Sequence, residues 1–318
     1  MSRIVVGVDG GGSKTRAMVA DERGTEIVSV DGPPSAVRPG EAEHSADVIV
    51  ATVRDALAAA SMSHVTPRVV CVGVAGVGRE PERDALWQVL IGRELADDII
   101  VYPDATIALD DAFGDGAGIL LIAGTGSVAV ARGPAGTTAR CGGWGPMIGD
   151  EGSGAWIGRR ALGAVAAAAD GREPATALTG AVLTATQVAT VEELVGWAAT
   201  ATPAKLATIA PAVIQVADAG DLRANSLLSM AVEELMLHVR TLARRLFVDE
   251  RAAVQVALAG GLLGRGKPLR RRLEHRLKTA VPGAQLRQEE VLPSRGAVRG
   301  ALRSLGIEVG ADAEQQPV

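Results

Sequence analysis

The sequence has few cysteines, few aromatic residues and no long apolar run. Its two cysteines, Cys71 and Cys141, are too few and too far apart for a disulfide framework or a CxxC metal or redox motif. No apolar stretch approaches the roughly 18 residues that a membrane helix needs, and Met1-Ser2-Arg3 leads into a short strand instead of a signal peptide. We therefore expect a cytoplasmic protein without a membrane partner.

Basic clusters of the kind that bind nucleic acid are also missing. Lys and Arg total 32 against 37 Asp and Glu, which gives a net charge of −5, so we expect no nucleic-acid partner. The basic run at 265–276 is interpreted as a solvated helix face, with a contact to a phosphate ligand as the alternative. The histidines show no metal-ligand spacing and are interpreted as packing or surface residues: His44, His64, His238 and His275.

Hydrophobic residues make up 47% of the 318 residues, and this length favours two lobes with a ligand cleft between them. The predicted strands cover residues 4–8, 16–20, 26–30, 69–74, 99–102, 119–123, 128–131 and 254–258. The predicted helices cover residues 41–60, 81–91, 104–114 and 295–305, and the chain at 152–247 is predicted to be mostly helical. The repeated strand, glycine turn and strand predict a duplicated α/β architecture. One lobe is expected at 1–116, which the helix at 295–305 would complete, and the other at 117–294.

The first glycine turn follows the strand at 4–8 and reads Asp9-Gly10-Gly11-Gly12-Ser13-Lys14-Thr15. Consecutive glycines allow positive φ angles and bring backbone N–H groups close to an anion such as a polyphosphate. An ordinary hairpin turn is the alternative. A Walker A loop is excluded because it needs Gly directly before Lys, where this chain has Ser13. A dinucleotide-binding GxGxxG loop is excluded because it opens a helix, whereas strand-like residues follow Thr15.

A second glycine turn, Gly124-Thr125-Gly126-Ser127, occupies the same strand-turn-strand position in the second half. Two such turns that face each other can hold one triphosphate from both sides, which strengthens the phosphate interpretation of each. A glycine pair, Gly260-Gly261, ends the strand at 254–258. It allows a nucleotide base or ribose to lie against the backbone, or else it makes only a tight turn.

Two acidic residues stand at strand ends close to these turns. Asp104 follows the strand at 99–102 and opens a helix. Its carboxylate is expected to cap the helix or, if the glycine turns hold ATP, to accept the proton of a hydroxyl that attacks the γ-phosphate. Asp9 directly follows the first strand, where a carboxylate can orient Mg²⁺, chiefly through water molecules. Together these residues indicate phosphoryl transfer.

The segment from Cys141 to Gly154 surrounds Trp144 and two acids, Asp150 and Glu151, with glycines and a proline. An aromatic face and a carboxylate suit a sugar, which offers an apolar ring face and hydroxyl groups at its edge. The alternative is a connecting loop whose tryptophan fills the core.

In these motifs the chain resembles the N-acetylglucosamine kinases and the related BadF/BadG/BcrA/BcrD ATPases of the actin/hexokinase-like superfamily. The resemblance spans nearly the whole chain and is most specific at 141–154, which is similar to the sugar-binding loop of N-acetylglucosamine kinases. It implies two ribonuclease H-like domains around a central cleft for ATP and sugar, and commonly a homodimer. The implied reaction moves the γ-phosphate of Mg-ATP to the 6-hydroxyl of an amino sugar, N-acetylglucosamine foremost.

The resemblance also implies roles for individual residues. Asp104 would be the catalytic base and would touch the sugar, and Asp9 would lie at the metal and the phosphates. The other nucleotide-binding residues would be Gly11, Gly12, Ser13, Lys14 and Thr15 in the first loop, Gly124, Thr125 and Gly126 in the second, and Gly260 and Gly261 near the adenosine. The other sugar-binding residues would be Cys141, Gly143, Trp144 and Asp150.

One departure concerns the acceptor sugar. The family usually carries an Asn in the loop after the first hairpin, but residues 32–40 contain none, and Asn225 is the only Asn in the chain. Ser35 or Arg38 would have to replace it. Glucosamine or another hexose derivative therefore stays open as the acceptor.

Two further functions have been found on this fold. An ATPase that activates a partner dehydratase through an iron–sulfur cluster needs suitably placed cysteine ligands, whereas Cys71 lies in a predicted buried strand and Cys141 in the sugar-like loop. A sugar sensor that binds DNA would need a helix-turn-helix segment, which the sequence lacks. Both are therefore less favoured than the kinase.

Overall fold

The computed structural model describes residues 4–247 and 253–307, so Met1-Ser2-Arg3 and the inference drawn from them lie outside the described residues. The chain forms two compact units. Residues up to Asp115 and from Val291 onward form the first, and Gly116–Glu290 form the second.

The first unit is built on a five-stranded sheet in the order β3-β2-β1-β4-β5. Its strands are β1 (Val5–Gly10), β2 (Thr15–Ala20), β3 (Glu26–Gly32), β4 (Val69–Val74) and β5 (Asp98–Pro103), and its first helices are α1 (Ala42–Ala59), α2 (Glu80–Ile91) and α3 (Asp104–Phe113). β1, β2 and β3 pair antiparallel, whereas β1, β4 and β5 pair parallel. The central strands β1 and β4 are runs of valine that are buried on both faces, as expected for parallel strands covered by helices.

The second unit repeats this arrangement, with the sheet order β10-β9-β6-β7-β8. Its strands are β6 (Gly118–Ala123), β7 (Ser127–Arg132), β8 (Thr138–Gly142), β9 (Val254–Ala259) and β10 (Ala284–Leu286), and its helices are α4 (Gly154–Ala169), α5 (Leu178–Thr186), α6 (Glu193–Ala199), α7 (Pro203–Ala207), α8 (Ala210–Asp218), α9 (Leu222–Leu246) and α10 (Pro268–Ala280). Counted along the chain, both sheets follow the order third, second, first, fourth, fifth. The predicted duplicated α/β architecture is confirmed.

The last helix, α11 (Pro293–Ser304), belongs to the first unit. Because side chains alternate across a strand, Val6 and Val8 of β1 pack with the helices α1 and α2, whereas Val5 packs with α3 and α11 on the other face. The sheet of the first unit is therefore covered on both sides.

The basic run at 265–276 faces solvent for most of its length, as interpreted, and among its basic residues Arg270 is the exception. Arg270 is 5% exposed, and its guanidinium donates to Glu274 at 2.6 Å and to the carbonyl oxygen of Leu263 at 3.1 Å. Arg276 pairs with Glu233 of α9. The pair of Arg276 and Glu233 attaches α10 to α9, whereas Arg270 bonds within α10 and to the segment that precedes it.

Among the described residues, none of the helices combines the length and the hydropathy that a membrane-spanning segment requires.

Gly296→Ala tests how closely α11 packs on α3. A Cβ at this position would lie 1.8 Å from the carbonyl oxygen of Ile107, so the helices must separate. We expect the free energy of unfolding, measured in urea, to fall by about 2–3 kcal/mol, the range of overpacked cores. Gly163→Ala is the matched control because Gly163 is also helical but has no heavy atom within 4 Å of an added Cβ. It should be neutral or stabilising by up to about 1 kcal/mol, and similar losses in both variants would contradict the close packing.

Candidate functional site

Two carboxylates of the first unit stand at the carboxyl ends of neighbouring parallel strands. Asp9 lies near the end of β1 and pairs in register with Gly73 of β4, which pairs with Tyr102 of β5. Asp104 follows directly after β5 as the first residue of α3. This edge of an α/β sheet is where ligands commonly bind. The structure therefore brings together the predicted base and the predicted metal-binding residue.

Both carboxyl groups are partly buried, and burial raises the pKa of each. The pKa of Asp9 rises to about 6, chiefly through desolvation and further through the negative charge of Asp104. Burial also raises the pKa of Asp104, although a hydrogen bond from the Ala105 N–H, 2.8 Å from Oδ1, opposes the shift. A carboxylate whose pKa is raised is a stronger base near neutral pH.

Asp104 does not cap its helix, so the capping interpretation is wrong. The cap position is held by Pro103, and no side chain makes a capping hydrogen bond there. Proline is conformationally suited to this helix start because its φ is fixed. Asp104 instead lies in the first turn, and its carboxylate is not committed to the N–H groups deeper in the helix.

The nearby cations of the first unit are bound to a third acid, Asp31. The Arg16 guanidinium donates to its carboxylate at 2.7 Å, and the Lys14 ammonium lies 3.2 Å from it. Lys14 and Arg16 lower the pKa of Asp9 only in part, and the net shift remains upward. The pair Asp9 and Asp104 thus leaves negative charge for which a divalent cation is suited.

The oxygen donors present fit a hydrated Mg²⁺ better than a cation enclosed by protein ligands. Within residues 4–247 and 253–307, no group of three or more His, Cys, Asp and Glu side chains could hold a metal ion. Mg²⁺ is characteristically held by one or two carboxylates together with water and substrate phosphates. Asp9, and Asp104 beside it, supply such carboxylates.

The first glycine loop connects β1 and β2. The N–H of Gly11 donates to the carbonyl oxygen of Lys14 at 2.9 Å, while the carbonyl oxygen of Gly11 accepts from the N–H groups of Ser35 and Ala36. Gly12, Ser13 and Lys14 are exposed. The loop is thus fixed at its base and accessible at its tip.

The glycines of this loop do not adopt the positive φ angles that we expected. Gly10 is required for a different reason, since a Cβ there would lie 2.4 Å from the Ser35 hydroxyl. Thr15 is buried, and its hydroxyl donates to the carbonyl oxygen of Pro33 at 2.6 Å. The Thr15 hydroxyl also lies 2.7 Å from the Ser35 hydroxyl. The hydroxyl groups of Thr15 and Ser35 are therefore engaged inside the protein, which leaves the exposed Ser13 as the hydroxyl available to a ligand.

The second glycine loop lies between β6 and β7 and is bonded to the start of α4. The carbonyl oxygens of Gly124 and Thr125 accept from the N–H groups of Gly154 at 2.8 Å and Ala155 at 3.2 Å. Gly260, with φ 91°, approaches β6 so closely that a Cβ would lie 2.4 Å from the Ala123 carbonyl oxygen. The predicted phosphate loop and the glycine pair at 260–261 are thus neighbours.

The glycine-rich segment at 142–154 follows β8 and brings Asp150 beside the second glycine loop. Asp150 is 9% exposed and has a left-handed backbone with φ 58°. Its Oδ1 accepts from the Gly145 N–H at 3.2 Å, and a Cβ on Gly126 would lie 2.7 Å from its Oδ2. Burial raises the pKa of Asp150, against the backbone hydrogen bonds from Gly145 and Ser127.

Trp144 is on the surface of this segment, so the alternative in which it fills the core is wrong. Its side chain is 65% exposed, and the Arg140 guanidinium carbon lies 4.9 Å from the centroid of its ring. Cys141 lies in β8, not in the loop, and its partly buried side chain packs against the apolar core of the second unit. An exposed aromatic face close to a buried carboxylate is available to a sugar ring.

The family is decided by comparison with known proteins. A sequence profile of the BadF/BadG/BcrA/BcrD ATPase family matches residues 6–302. The chain belongs to this family. The match covers the glycine loops and the acidic residues of both units.

Three relatives of this ATPase-family protein are similar over most of their length. It is 30% identical to the N-acetyl-D-glucosamine kinase of Dictyostelium discoideum over 95% of this chain and 98% of that one. It is 30% identical to the N-acetylmuramic acid/N-acetylglucosamine kinase of Clostridium acetobutylicum over 82% of this chain and 86% of the relative. The solved structure of a candidate N-acetylglucosamine kinase from Chromobacterium violaceum superposes with a TM-score of 0.80 at 30% identity, covering 93% of this chain and 98% of that one.

The structure of this BadF-family protein also shows a contact that sequence reasoning missed. His238 of α9 is 7% exposed, and its Nε2 lies 3.7 Å from Oε2 of Glu151 in the glycine-rich segment. Burial lowers the pKa of His238, which favours the neutral imidazole. The sequence offers no signal for this pair because the two residues are far apart along the chain.

Asp9→Asn is expected to stabilise the protein at neutral pH. Because the pKa of Asp9 is about 6 when folded against 3.8 ordinarily, the folded state holds this proton more tightly, and stability falls as pH rises through the interval. The gain should reach at most about 3 kcal/mol at pH 7.5 and vanish below about pH 3, measured by urea unfolding without ligands. Asp31→Asn is the control of opposite sign, since Arg16 and Lys14 lower the pKa of Asp31 to about 2. Equal effects of Asp9→Asn at both pH values would contradict the burial of a charge.

Proposed function

We propose that the protein is an ATP-dependent kinase that phosphorylates an amino sugar at its 6-hydroxyl, with N-acetylglucosamine as the foremost acceptor. The observation that carries the proposal is the pair of partly buried carboxylates, Asp9 and Asp104, at one sheet edge of a BadF-family chain. The names of the relatives support the sugar acceptor.

Asp104 is proposed as the catalytic base. Phosphoryl transfer to a sugar requires a group that accepts the proton of the attacking hydroxyl. Burial raises the pKa of Asp104, which suits it to this role at neutral pH. Its position at the start of α3 keeps the carboxylate at the sheet edge without a capping bond.

ATP is proposed to bind through the glycine loops. In the first unit, the exposed Gly12, Ser13 and Lys14 are proposed to offer backbone N–H groups, a hydroxyl and an ammonium group to phosphate oxygens, while Gly11 and Thr15 hold the base of the loop. In the second unit, Thr125 and Gly126 are proposed to contact phosphate oxygens, Gly124 holds the base of that loop, and Gly260 and Gly261 lie beside them for the adenosine. Bound Mg²⁺, oriented by Asp9, would offset the negative charge of the phosphates.

The sugar is proposed to contact the glycine-rich segment of the second unit. Trp144 offers its exposed ring to the apolar face of a pyranose, and Asp150 offers a carboxylate to the hydroxyl groups. Gly143, with φ 69°, is proposed to contact the sugar through its backbone beside Trp144, where a Cβ would lie 2.8 Å from Cγ2 of Val128. Cys141 would act at most through its partly buried side chain at the end of β8.

The acceptor is less narrowly determined than the reaction. Residues 32–40 contain no Asn, and the Ser35 hydroxyl is buried against Thr15, so it does not replace an Asn side chain. Arg38 is exposed and remains the candidate substitute. Glucosamine or another hexose derivative is the alternative acceptor, and relatives at equal identity are named for different N-acetylated sugars.

An ATPase that activates a partner through an iron–sulfur cluster is disfavoured by the state of the cysteines. Cys71 is fully buried in β4, and burial raises the pKa of its thiol to about 12, which opposes the thiolate that binds iron. We also propose that the protein works in the reducing cytoplasm, because it has only two cysteines, and that it binds no nucleic acid, because its net charge is −5. The proposed homodimer rests on the family resemblance.

The deciding experiment measures ATP consumption by the purified protein with Mg²⁺ and each of several sugars. The panel contains N-acetylglucosamine, glucosamine, glucose, N-acetylmannosamine and N-acetylmuramic acid, and product masses are recorded. We expect turnover with one amino sugar at least about 10-fold above the rest, a preference that one or two polar contacts can supply. Equal ATP hydrolysis with every sugar and with none would reject the kinase.

Asp104→Asn provides the matched variant for this assay. We expect sugar phosphorylation to fall by about 10²–10⁴-fold, because an amide does not accept the proton. Nucleotide binding should be retained and the unfolding midpoint should be unchanged or higher, since the change removes a carboxylate whose pKa is raised by burial without altering its shape. Retention of most activity would exclude Asp104 as the base.

Asp150→Asn tests the sugar segment separately from the nucleotide. Asparagine tolerates the left-handed backbone at φ 58°, whereas alanine there would add strain. Loss of a charge-assisted hydrogen bond predicts a rise of about 10-fold in the KM for sugar and little change in the KM for ATP. Equal rises in both constants would argue against sugar binding by Asp150.

A further inference from the structure

The far end of α3 carries a buried carboxylate that the proposed chemistry does not use. The side chain of Asp111 is 1% exposed and lies on the same face of α3 as Asp104, two helical turns away. Its Oδ1 accepts from Arg295 Nε at 2.6 Å, and its Oδ2 accepts from the second Arg295 nitrogen at 3.0 Å. This is the two-point geometry in which an arginine and a carboxylate bind most strongly.

The same carboxylate also holds the chain before α11. The backbone N–H of Leu292 donates to Oδ2 of Asp111 at 2.8 Å. The carbonyl oxygens of Asp110 and Asp111 accept from Arg299, one turn further along α11, at 3.3 and 3.1 Å. Thus the carboxyl end of α3 is bonded to the start of α11, although the two lie far apart in sequence.

Close packing extends this attachment toward the sheet edge. A Cβ on Gly296 would lie 1.8 Å from the Ile107 carbonyl oxygen, so α11 touches the backbone of α3. The side chain of Ile107 covers Gly73, where a Cβ would lie 2.1 Å from its Cδ1, and Gly73 is the register partner of Asp9. On β1, a Cβ on Gly7 would lie 2.2 Å from the Ser294 carbonyl oxygen. α11 therefore contacts the elements that carry Asp9 and Asp104.

We propose that Asp111 and Arg295 are positioning residues that hold α3 on α11 and so keep the Asp104 carboxylate where it accepts the proton. The proposal rests on the kinase function proposed above. A rigid helix transmits displacement along its length, so a loosened far end moves the first residue as well. Misplacement by about 1 Å can cost on the order of 10²-fold in rate.

The neighbouring pair between the same helices provides the matched control. Arg303 donates to Asp110 at 3.2 Å and also lies 3.2 Å from Asp115, but its side chain is 49% exposed. It attaches near the end of α11, away from Leu292. The Asp110 side chain is 5% exposed, but solvent reaches and screens the Arg303 guanidinium. Because glutamine keeps a hydrogen-bond donor at this position, Arg303→Gln should leave kcat unchanged within about 2-fold.

The test compares Asp111→Asn, Arg295→Lys and Arg303→Gln in the sugar-phosphorylation assay, well below each unfolding midpoint. For Asp111→Asn we expect kcat to fall by at least about 10-fold while the KM values for ATP and sugar stay within about 2-fold, because the base is displaced and the binding loops are not. Arg295→Lys keeps the charge but loses the two-point bond. It should also lower kcat and leave both KM values nearly unchanged, with a smaller fall in kcat than Asp111→Asn. It also serves if Asp111→Asn fails to fold.

Two results would overturn the proposal. One is a kcat for Asp111→Asn or Arg295→Lys equal to that of Arg303→Gln once corrected for the folded fraction, which would leave the pair a purely stabilising role. The other is a rise in both KM values in parallel with the loss of kcat, which would indicate general disruption. Failure of the kinase function is distinguishable, since the unmodified protein would then show no sugar-dependent turnover.

Discussion

Desolvation of carboxylates at one edge of the first sheet is the interaction on which the proposed chemistry depends. Asp9 and Asp104 stand at the ends of parallel strands where helices cover both faces, so water reaches them only partly. The raised pKa values are a cost to folding that the packing of β1, β4 and β5 must offset. Binding of a cation or of a donor hydroxyl at these carboxylates would offset that cost.

The duplication distributes different chemistry over two similar sheets. At the strand position where β1 has Asp9, the equivalent strand β6 has the apolar Ile122. The second unit instead carries the additional helices α4 to α9 and the glycine-rich segment at 142–154. The first copy thus supplies two carboxylates at its sheet edge, whereas the second supplies a surface aromatic ring and Asp150 on a glycine-rich segment.

Much of the fold was predictable because its strands are short β-branched runs that end in glycine turns. The strands at 69–74 and 119–123 were identified within one residue, and the long helix α9 lies within the chain predicted to be mostly helical at 152–247. β8 was missed because it is short and half-exposed, and β10 because it has only three residues. The buried face of the arginine-rich α10 was not predicted, because the many charged residues lower its hydropathy. This face consists of Leu269, Leu273 and Leu277, which are buried at helical spacing.

Features of the candidate site were predictable where they lie within one segment of the sequence. They were not predictable where they depend on contacts between distant segments. The exposed Trp144 beside the buried Asp150 follows from a single glycine-rich stretch. By contrast, the N-cap position of α3, which was one interpretation of Asp104, is occupied by Pro103. The hydroxyl groups of Thr15 and Ser35 form a hydrogen bond with each other. The contacts of Glu151 with His238 and of Asp111 with Arg295 join segments whose proximity only the folded chain reveals.

The left-handed backbone of Asp150 limits how this site can drift over generations. Asparagine and glycine both suit that conformation, and each is one base change from an aspartate codon. The acid can therefore be lost in a single step while the shape of the segment survives. Descendants that have lost sugar binding through this acid would keep the glycine pattern intact, and the residue at position 150 would distinguish them from chains that retain it.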